Sequence, residues 1–364
     1  MTARRAPAPV DRERSLRRAA LVRWYRRQHR PLPWRETRDS YRVWVSEIML
    51  QQTRVETVLR YYERFLERFP TVGALANAPL PEVLGLWSGL GYYRRARMLH
   101  AAAALVVERH GGVFPRTLAE AVALPGIGRS TAGAILSISY DIPAPVLDGN
   151  VQRVLCRWHG WRGTPGAGPL AARLWAEAGA LVDCDGPGDV NQALMELGAT
   201  VCLPAAAARC ASCPVRARCA ALRQETVAEL PERARRTPPL PQTWAVALAR
   251  RGERFLVRQR GPTGLLHGLI ELPTVELDDA SAADDDATRR ALAAFLRAEL
   301  GLVARVGDER LQHRHAISNR RVLERVFEVS VRGAAGRSAR WLSEGALRVL
   351  PITTATRKIL DRLD

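Results

Sequence analysis

The chain has 364 residues, 55 Lys and Arg against 37 Asp and Glu, a formal net charge of +18 and a pI near 10.9. That length suits two domains with cores of their own and needs no disulfide staples; the charge calls for a polyanionic partner, nucleic acid or an anionic surface. No apolar run is long enough to span a bilayer, and the Arg-rich start has no apolar stretch like that of a signal peptide, so a cytoplasmic protein with no membrane attachment is expected.

In chain order, residues 1–15 read as a basic disordered arm and 16–28 as a helix. Two prolines then make Arg30-Pro-Leu-Pro-Trp-Arg35 a rigid extended loop. Asp39 or Ser40 can cap the next helix, which carries Val43-Trp-Val-Ser-Glu47-Ile-Met-Leu-Gln-Gln-Thr53. Glu47 is a single carboxylate set in hydrocarbon. Ionising it there is unfavourable, so its pKa should rise, as a general acid at neutral pH requires. A Glu on the wet face of a half-buried helix is the plainer alternative.

Further helical patterns fall at 54–68, 72–78, 81–88, 93–110, 117–123, 130–138, 149–159, 168–183 and 188–199, with no strand pattern before residue 240. Between two of these helices lies Leu124-Pro-Gly126-Ile-Gly128, a tight turn whose following helix can offer free amides to a phosphate. Asp148, in Leu147-Asp-Gly-Asn150, is a helix cap or an exposed anion. With Glu47 it would complete the pair used in glycoside cleavage, an acid for the leaving group and an anion for the sugar cation. Cys202, Cys210, Cys213 and Cys219, spaced C-x7-C-x2-C-x5-C, suit a [4Fe–4S] cluster or zinc. Arg209, Arg216 and Arg218 make that loop basic.

A Pro-rich linker is expected over 226–242. Strands follow at 243–249 and 255–260 around Arg-Gly-Glu-Arg, a hairpin reading. An acidic loop (278–286) precedes a helix over 287–300 stopped by Gly301. Strands at 311–317 and 322–331 and a helix from about 354 complete a separate α+β domain.

Together these stretches resemble the helix–hairpin–helix DNA glycosylase superfamily and, within it, the adenine DNA glycosylase (MutY) family. The motifs that carry the resemblance are Pro33-Trp34-Arg35, the stretch 45–53, Gly89-Leu90-Gly91-Tyr92-Tyr93, the stretch 124–132, Leu147–Asn150 and Met195-Glu196-Leu-Gly198. It implies an all-α glycosylase domain (16–225) with a cluster loop. This domain divides into a six-helix module of about 40–140 and a cluster module of 16–39 and 141–225. A Nudix-like α+β domain (243–364) that recognises the lesion follows.

The resemblance implies base excision repair: hydrolysis of the N-glycosidic bond of adenine mispaired with 8-oxoguanine or guanine in duplex DNA, by a nucleoid-associated bacterial monomer holding a [4Fe–4S] cluster on the four cysteines. Glu47 would protonate the flipped adenine at N7, Asp148 would stabilise or trap the sugar cation, and Asn150 would place the acid or the water. Trp34, Arg35, Leu50 and Glu196 match the adenine pocket. Gln52, Thr53, Leu90 and Tyr92 match contacts to the oxidised guanine. Gly126 and Gly128 would hold DNA phosphate.

Bifunctional members carry a Schiff-base lysine just after the hairpin; here Ser130 lines the pocket instead, and the helical domain has no lysine, so a monofunctional enzyme is expected. The rivals are an endonuclease III-like enzyme for oxidised pyrimidines and a non-catalytic iron–sulfur DNA-binding protein. In the second domain the helix 295–301 lacks the paired acids of a working Nudix hydrolase. The family's Phe-Ser-His loop becomes Ile317-Ser318-Asn319: Ser318 can still donate a hydrogen bond to the lesion, but the aromatic and the imidazole are missing.

Overall fold

The computed structural model describes residues 9–166, 168–232, 237–261, 263–336, 338–348 and 350–363. They form two compact units, one of residues 1–77 and 98–235 and one of 78–97 and 236–364.

The first unit is helical. Its helices are α1 (Pro9–Gln28), α2 (Ser40–Leu50), α3 (Val55–Arg68) and α4 (Val72–Ala76). α5 (Leu80–Leu86) belongs to the second unit, and α6 (Arg94–His110) starts there. The series continues with α7 (Leu118–Ala123), α8 (Arg129–Tyr140), α9 (Gly149–His159), α10 (Gly168–Val182), α11 (Pro187–Thr200) and the single turn α12 (Ala220–Arg223). Prolines 31 and 33 exclude a regular helix between α1 and α2, and Pro33–Arg35 makes one 3-10 turn. Asp39 caps α2 by accepting from the Arg42 amide at 2.8 Å.

Helix α11 packs on α1, α8 and α9, and α2 packs on α8. Small residues allow the approach. A Cβ on Gly133 would lie 2.2 Å from the Pro145 carbonyl oxygen, and one on Gly198 would lie 2.5 Å from the Cβ of Asn150. Buried Asn191 on α11 ties the unit together. Its Nδ2 donates to Ser137 Oγ and the Ala144 carbonyl, and its Oδ1 accepts from the Val146 amide. The segment that ends at Asp148 is thereby fixed to two helices.

One expectation is corrected here. The basic arm expected over 1–15 is helical from Pro9, with Asp11 in the first turn where the helix dipole favours an anion; residues 1–8 lie outside the described residues.

The second unit has two four-stranded sheets. Its strands are β1 (Leu240–Leu248), β2 (Arg250–Arg251), β3 (Arg254–Gln259), β4 (Ile270–Glu271), β5 (Thr274–Glu276), β6 (Val303–Ile317), β7 (Arg320–Arg332) and β8 (Ala339–Ser343). One sheet runs β5-β1-β7-β6; in the other, β3 pairs with β2, β4 and β8.

Alternation along β1 divides the core. Ala245 and Ala247 face α14 (Asp285–Leu300) through Leu292, Leu296 and Leu300. Val246 and Leu248 face Phe255, Val257 and Ile359 of the other layer. The hairpin expected between 243–249 and 255–260 is therefore redrawn: β2 and β3 close around Gly252, while β1 runs parallel to β7 in the other sheet. The acidic loop is also more ordered than expected. Asp278 caps the short helix α13 (Asp279–Ala283), and Asp284 caps α14.

The segment 78–97 belongs to this unit by contact. Tyr93 Oη donates to the Ile352 carbonyl at 3.1 Å, Arg357 donates to Ser88 Oγ at 2.9 Å, and Arg97 donates to the His267 carbonyl at 2.9 Å. The chain ends through α15 (Glu344–Arg348) and α16 (Thr354–Leu360).

Candidate active site

A cleft of about 400 Å³ opens in the helical unit, lined by α2, the 3-10 turn, the start of α8, the α9 N-terminus and α11. Nine of the residues singled out from the sequence meet there: Trp34, Arg35, Glu47, Leu50, Thr53, Ser130, Asp148, Asn150 and Glu196. Gln51 lines it too, donating to Thr131 Oγ1 at 3.3 Å.

Glu47 projects from mid-α2, flanked by buried Val43, Trp44, Ile48 and Met49. Burial, reinforced by the negative charge of Asp148 and only partly offset by Arg35, pushes its carboxyl up to about 7. Asp148 is the N-cap of α9. Its carboxylate accepts from the Val151 amide at 2.7 Å and from Asn150 Nδ2 at 3.2 Å. Burial raises its pKa, and those two bonds and the charge of Arg153 oppose the rise. Among the described residues nothing donates to Glu47, so Asp148 is the carboxylate whose charged form is supported.

Asn150 is held in turn. Its Oδ1 accepts from Arg153 at 2.8 Å, and Arg153 also donates to the carbonyls of Gly198 and Cys202. Ser130, at the lyase lysine position, accepts from the Leu147 amide at 2.9 Å and so steadies the residue before Asp148.

Glu196 has no exposed side-chain surface and takes two arginines. Arg30 meets it through Nε and Nη2, at 2.9 and 2.8 Å, and Arg35 through Nη2 at 2.7 Å. Burial alone would raise its pKa, but the hydrogen bonds from Arg30 and Arg35 prevail and bring it to about 2. Arg35 also lies over the Tyr25 ring, 5.5 Å from its centroid, and Trp34 packs edge-on against Tyr62 at 5.3 Å.

The four cysteines line one small apolar pocket with Trp158, Val201, Leu222 and Val227. Arg157, 1% exposed, donates to Cys202 Sγ at 3.4 Å and to the Leu203 and Leu230 carbonyls. Burial, with the neighbouring thiols, pushes Cys213 up to about 12, so its thiolate would form there only beside a cation. Among the described residues, the one group of three or more such ligand atoms mutually within 4.8 Å is His313, His315 and Glu324. Four thiols on one apolar pocket are a donor set of the kind that holds an iron–sulfur cluster or a zinc ion. The 3-10 turn Ala205–Ala207 takes up the long first gap.

Sequence reasoning missed Arg30, Arg153, Arg157 and Asn191. Arg153 and Arg157 left a usable signal, standing four apart on the helix that follows Asp148. Asn191 left none.

The residues matched to the oxidised guanine come from both units. Gln52 and Thr53 belong to the helical unit, while Leu90, Tyr92 and Ser318 belong to the other. Leu90 is buried, so its side chain is core and is not presented to a base. Gln52, Tyr92 and Ser318 share a different property: each is a non-glycine residue at positive φ, 57°, 50° and 56°. Such strain is retained where the surroundings enforce it, and it gathers at ligand sites. Tyr92 is 55% exposed, with Arg95 5.4 Å from its ring centroid. The hairpin turn has Gly126 at φ 79°, and Gly128 caps α8 with open space where a Cβ would be, so a phosphate can approach the α8 amides.

An acid whose pKa is raised to about neutrality beside a capped carboxylate, in a helical unit whose hairpin leaves its amides open, is machinery for breaking a glycosidic bond in DNA. The class it defines is the base excision DNA glycosylases. Residues 45–178 match the HhH-GPD superfamily of base excision DNA repair proteins, and residues 244–362 match the NUDIX domain. The chain is 37% identical over 403 residues to the adenine DNA glycosylase of Mus musculus, covering 94% of this chain and 76% of that protein. It is 36% identical over 406 residues to that of Homo sapiens, covering 94% and 73%. Among solved structures, a thermostable thymine-DNA glycosylase superposes with a TM-score of 0.53 at 26% identity, covering 60% of this chain and all of that one. The chain belongs to the adenine DNA glycosylase family.

Proposed function

We propose that this protein excises adenine mispaired with 8-oxoguanine or guanine from duplex DNA and leaves an abasic site. The observation that carries the reading is the carboxyl of Glu47, held at about 7 in the cleft beside Asp148. At neutral pH a large fraction of such a group holds its proton, whereas an ordinary Glu holds almost none.

Adenine flips into the cleft past Trp34 and Leu50. Glu47 donates its proton to N7; the N-glycosidic bond breaks with its electron pair passing to the base. The sugar cation forms beside Asp148, whose charge its helix-cap bonds support. Water, placed by Asn150 or the freed Glu47 carboxylate, adds at C1′ and gives up its proton to that carboxylate. Ser130 bonded to the backbone, in a unit without lysine, supports hydrolysis without strand cleavage. Asp148, Asn150 and Glu196 form a frame around the base, with Arg35 tied to Glu196.

Cys202, Cys210, Cys213 and Cys219 would hold a [4Fe–4S] cluster, which supplies a rigid, charged crosslink of the loop to which Arg153 and Arg157 bond. In the second unit the exposed Ser318 and Tyr92 are the groups offered to the lesion, Ser318 by a hydrogen bond and Tyr92 as an aromatic wedge.

The test is a duplex with adenine opposite 8-oxoguanine, treated with hot alkali after incubation, beside a duplex carrying an oxidised pyrimidine. Scission of the adenine strand only after alkali, lost in Glu47→Gln with DNA binding kept, is the expected result. Cutting of the pyrimidine lesion alone would place the protein with endonuclease III. Tight binding without cleavage of either would make it a docking protein.

A further inference from the structure

The second unit contains a polar cluster that adenine excision does not use. His313 and His315 stand on β6, and Glu324 on β7. His313 is the register partner of Glu324 across the antiparallel pair, and His315 lies two residues further along the same face. The imidazole rings stack at 5.1 Å with 21° between planes, and His315 Nδ1 lies 3.8 Å from a Glu324 carboxylate oxygen. His313 and Glu324 are each 3% exposed.

Both ring nitrogens of both histidines, and one Glu324 oxygen, are buried with no hydrogen-bond partner. Buried polar atoms are almost always bonded, and five orphans in one place demand an explanation. One ligand atom from each of the three residues lies within 4.8 Å of the other two. We propose that His313, His315 and Glu324 form a binding site for a divalent transition metal ion of the zinc type.

Two imidazoles and a carboxylate are a recognised zinc donor set, and imidazole selects zinc-like ions over magnesium or calcium. The surrounding charges allow a dication. Arg258 and Arg260 are both paired with Glu271, while the other cations near the histidines, Lys358 and Arg362, are exposed and screened by solvent. A bound ion would clamp β6 to β7 just before the turn that presents Ser318. The site stands independently of the excision chemistry.

The test uses the full chain with its cysteine cluster intact and zinc ion alone as the probe. Equilibrium dialysis with metal analysis, followed by zinc K-edge absorption, gives stoichiometry and ligand atoms. The expected result is one zinc per chain in a shell of nitrogen and oxygen only, at about 2.0–2.1 Å, with affinity at least tenfold weaker in Glu324→Gln and in His313→Ala. No retained zinc, a sulfur shell or unchanged affinity in folded variants would overturn the site. Should a variant not fold, the ligand shell of the parent chain and a zinc-dependent rise in its unfolding temperature decide the matter alone.

Discussion

Glu47→Gln should make the helical unit more stable at alkaline pH while it abolishes excision. Holding the carboxyl at about 7 against its ordinary 4.5 corresponds to about 3 kcal/mol of differential stabilisation of the protonated form. Above pH 4.5 the unfolded chain has lost this proton, and the folded chain keeps it until about 7. The folded state therefore binds more protons in that window, and stability falls as pH rises through it. Gln carries no charge and escapes the loss. At pH 8.5 the variant should be about 3 kcal/mol more stable, which for a unit of this size raises Tm by about 6–12 °C. At pH 5.5 the gain should shrink to about 1 kcal/mol. Calorimetric scans of both proteins at the two pH values read it directly. A gap of equal size at both pH values would refute the reasoning, because amide packing rather than a desolvated charge would then be responsible. In the parent enzyme the same group predicts that kcat/KM declines as pH rises through about 7.

Glu196→Gln leaves Arg30 and Arg35 short of a buried partner and should cost about 3–5 kcal/mol in chemical unfolding. In the parent, the Glu196 contribution is present above about 4.5 and is lost as pH falls toward about 2. Gly198→Ala drives a methyl into Asn150; the overpacking should cost about 1–3 kcal/mol, and single-turnover excision should fall further than duplex affinity. If the four cysteines hold the proposed cluster, Arg157→Met should shorten the lifetime of its visible absorption under air, and an unchanged lifetime would show that the Sγ contact does not protect it. Ser130→Lys should yield a borohydride-trapped DNA adduct; no adduct would mean that this position does not face the sugar.

Local chemistry made much of the cleft legible. Glu47 stood out as a carboxylate in an apolar run, and Asp148 as a cap before Gly149. Both signals are written within a few residues and survive folding, because the helix that carries or follows each residue supplies its nearest neighbours. Asn191 was invisible for the opposite reason: its partners Val146, Ser137 and Ala144 lie 45 or more residues away. The β1–β3 hairpin misled for a related reason. A turn sequence identifies a reversal, but the two-residue β2 took the pairing and left β1 for a parallel partner some 80 residues on.

The cleft holds three carboxylates, and burial pushes all three the same way. What separates them is what each is given to offset it. Glu196 receives three side-chain donors from two arginines and stays ionised to about 2. Asp148 receives a helix-terminal amide and the Asn150 amide, which oppose the rise that burial imposes without cancelling it. Glu47 receives no donor among the described residues, feels Asp148 against it, and rises to about 7. Partners, not depth, thus divide one residue class into anchor, anion and acid. Arg35 links the extremes, because the guanidinium fixed by Glu196 is also the charge that restrains Glu47 from rising further. A change at Glu196 that frees Arg35 should therefore appear at the acid as a moved alkaline limb in the pH profile, although Glu196 itself does not titrate in that range.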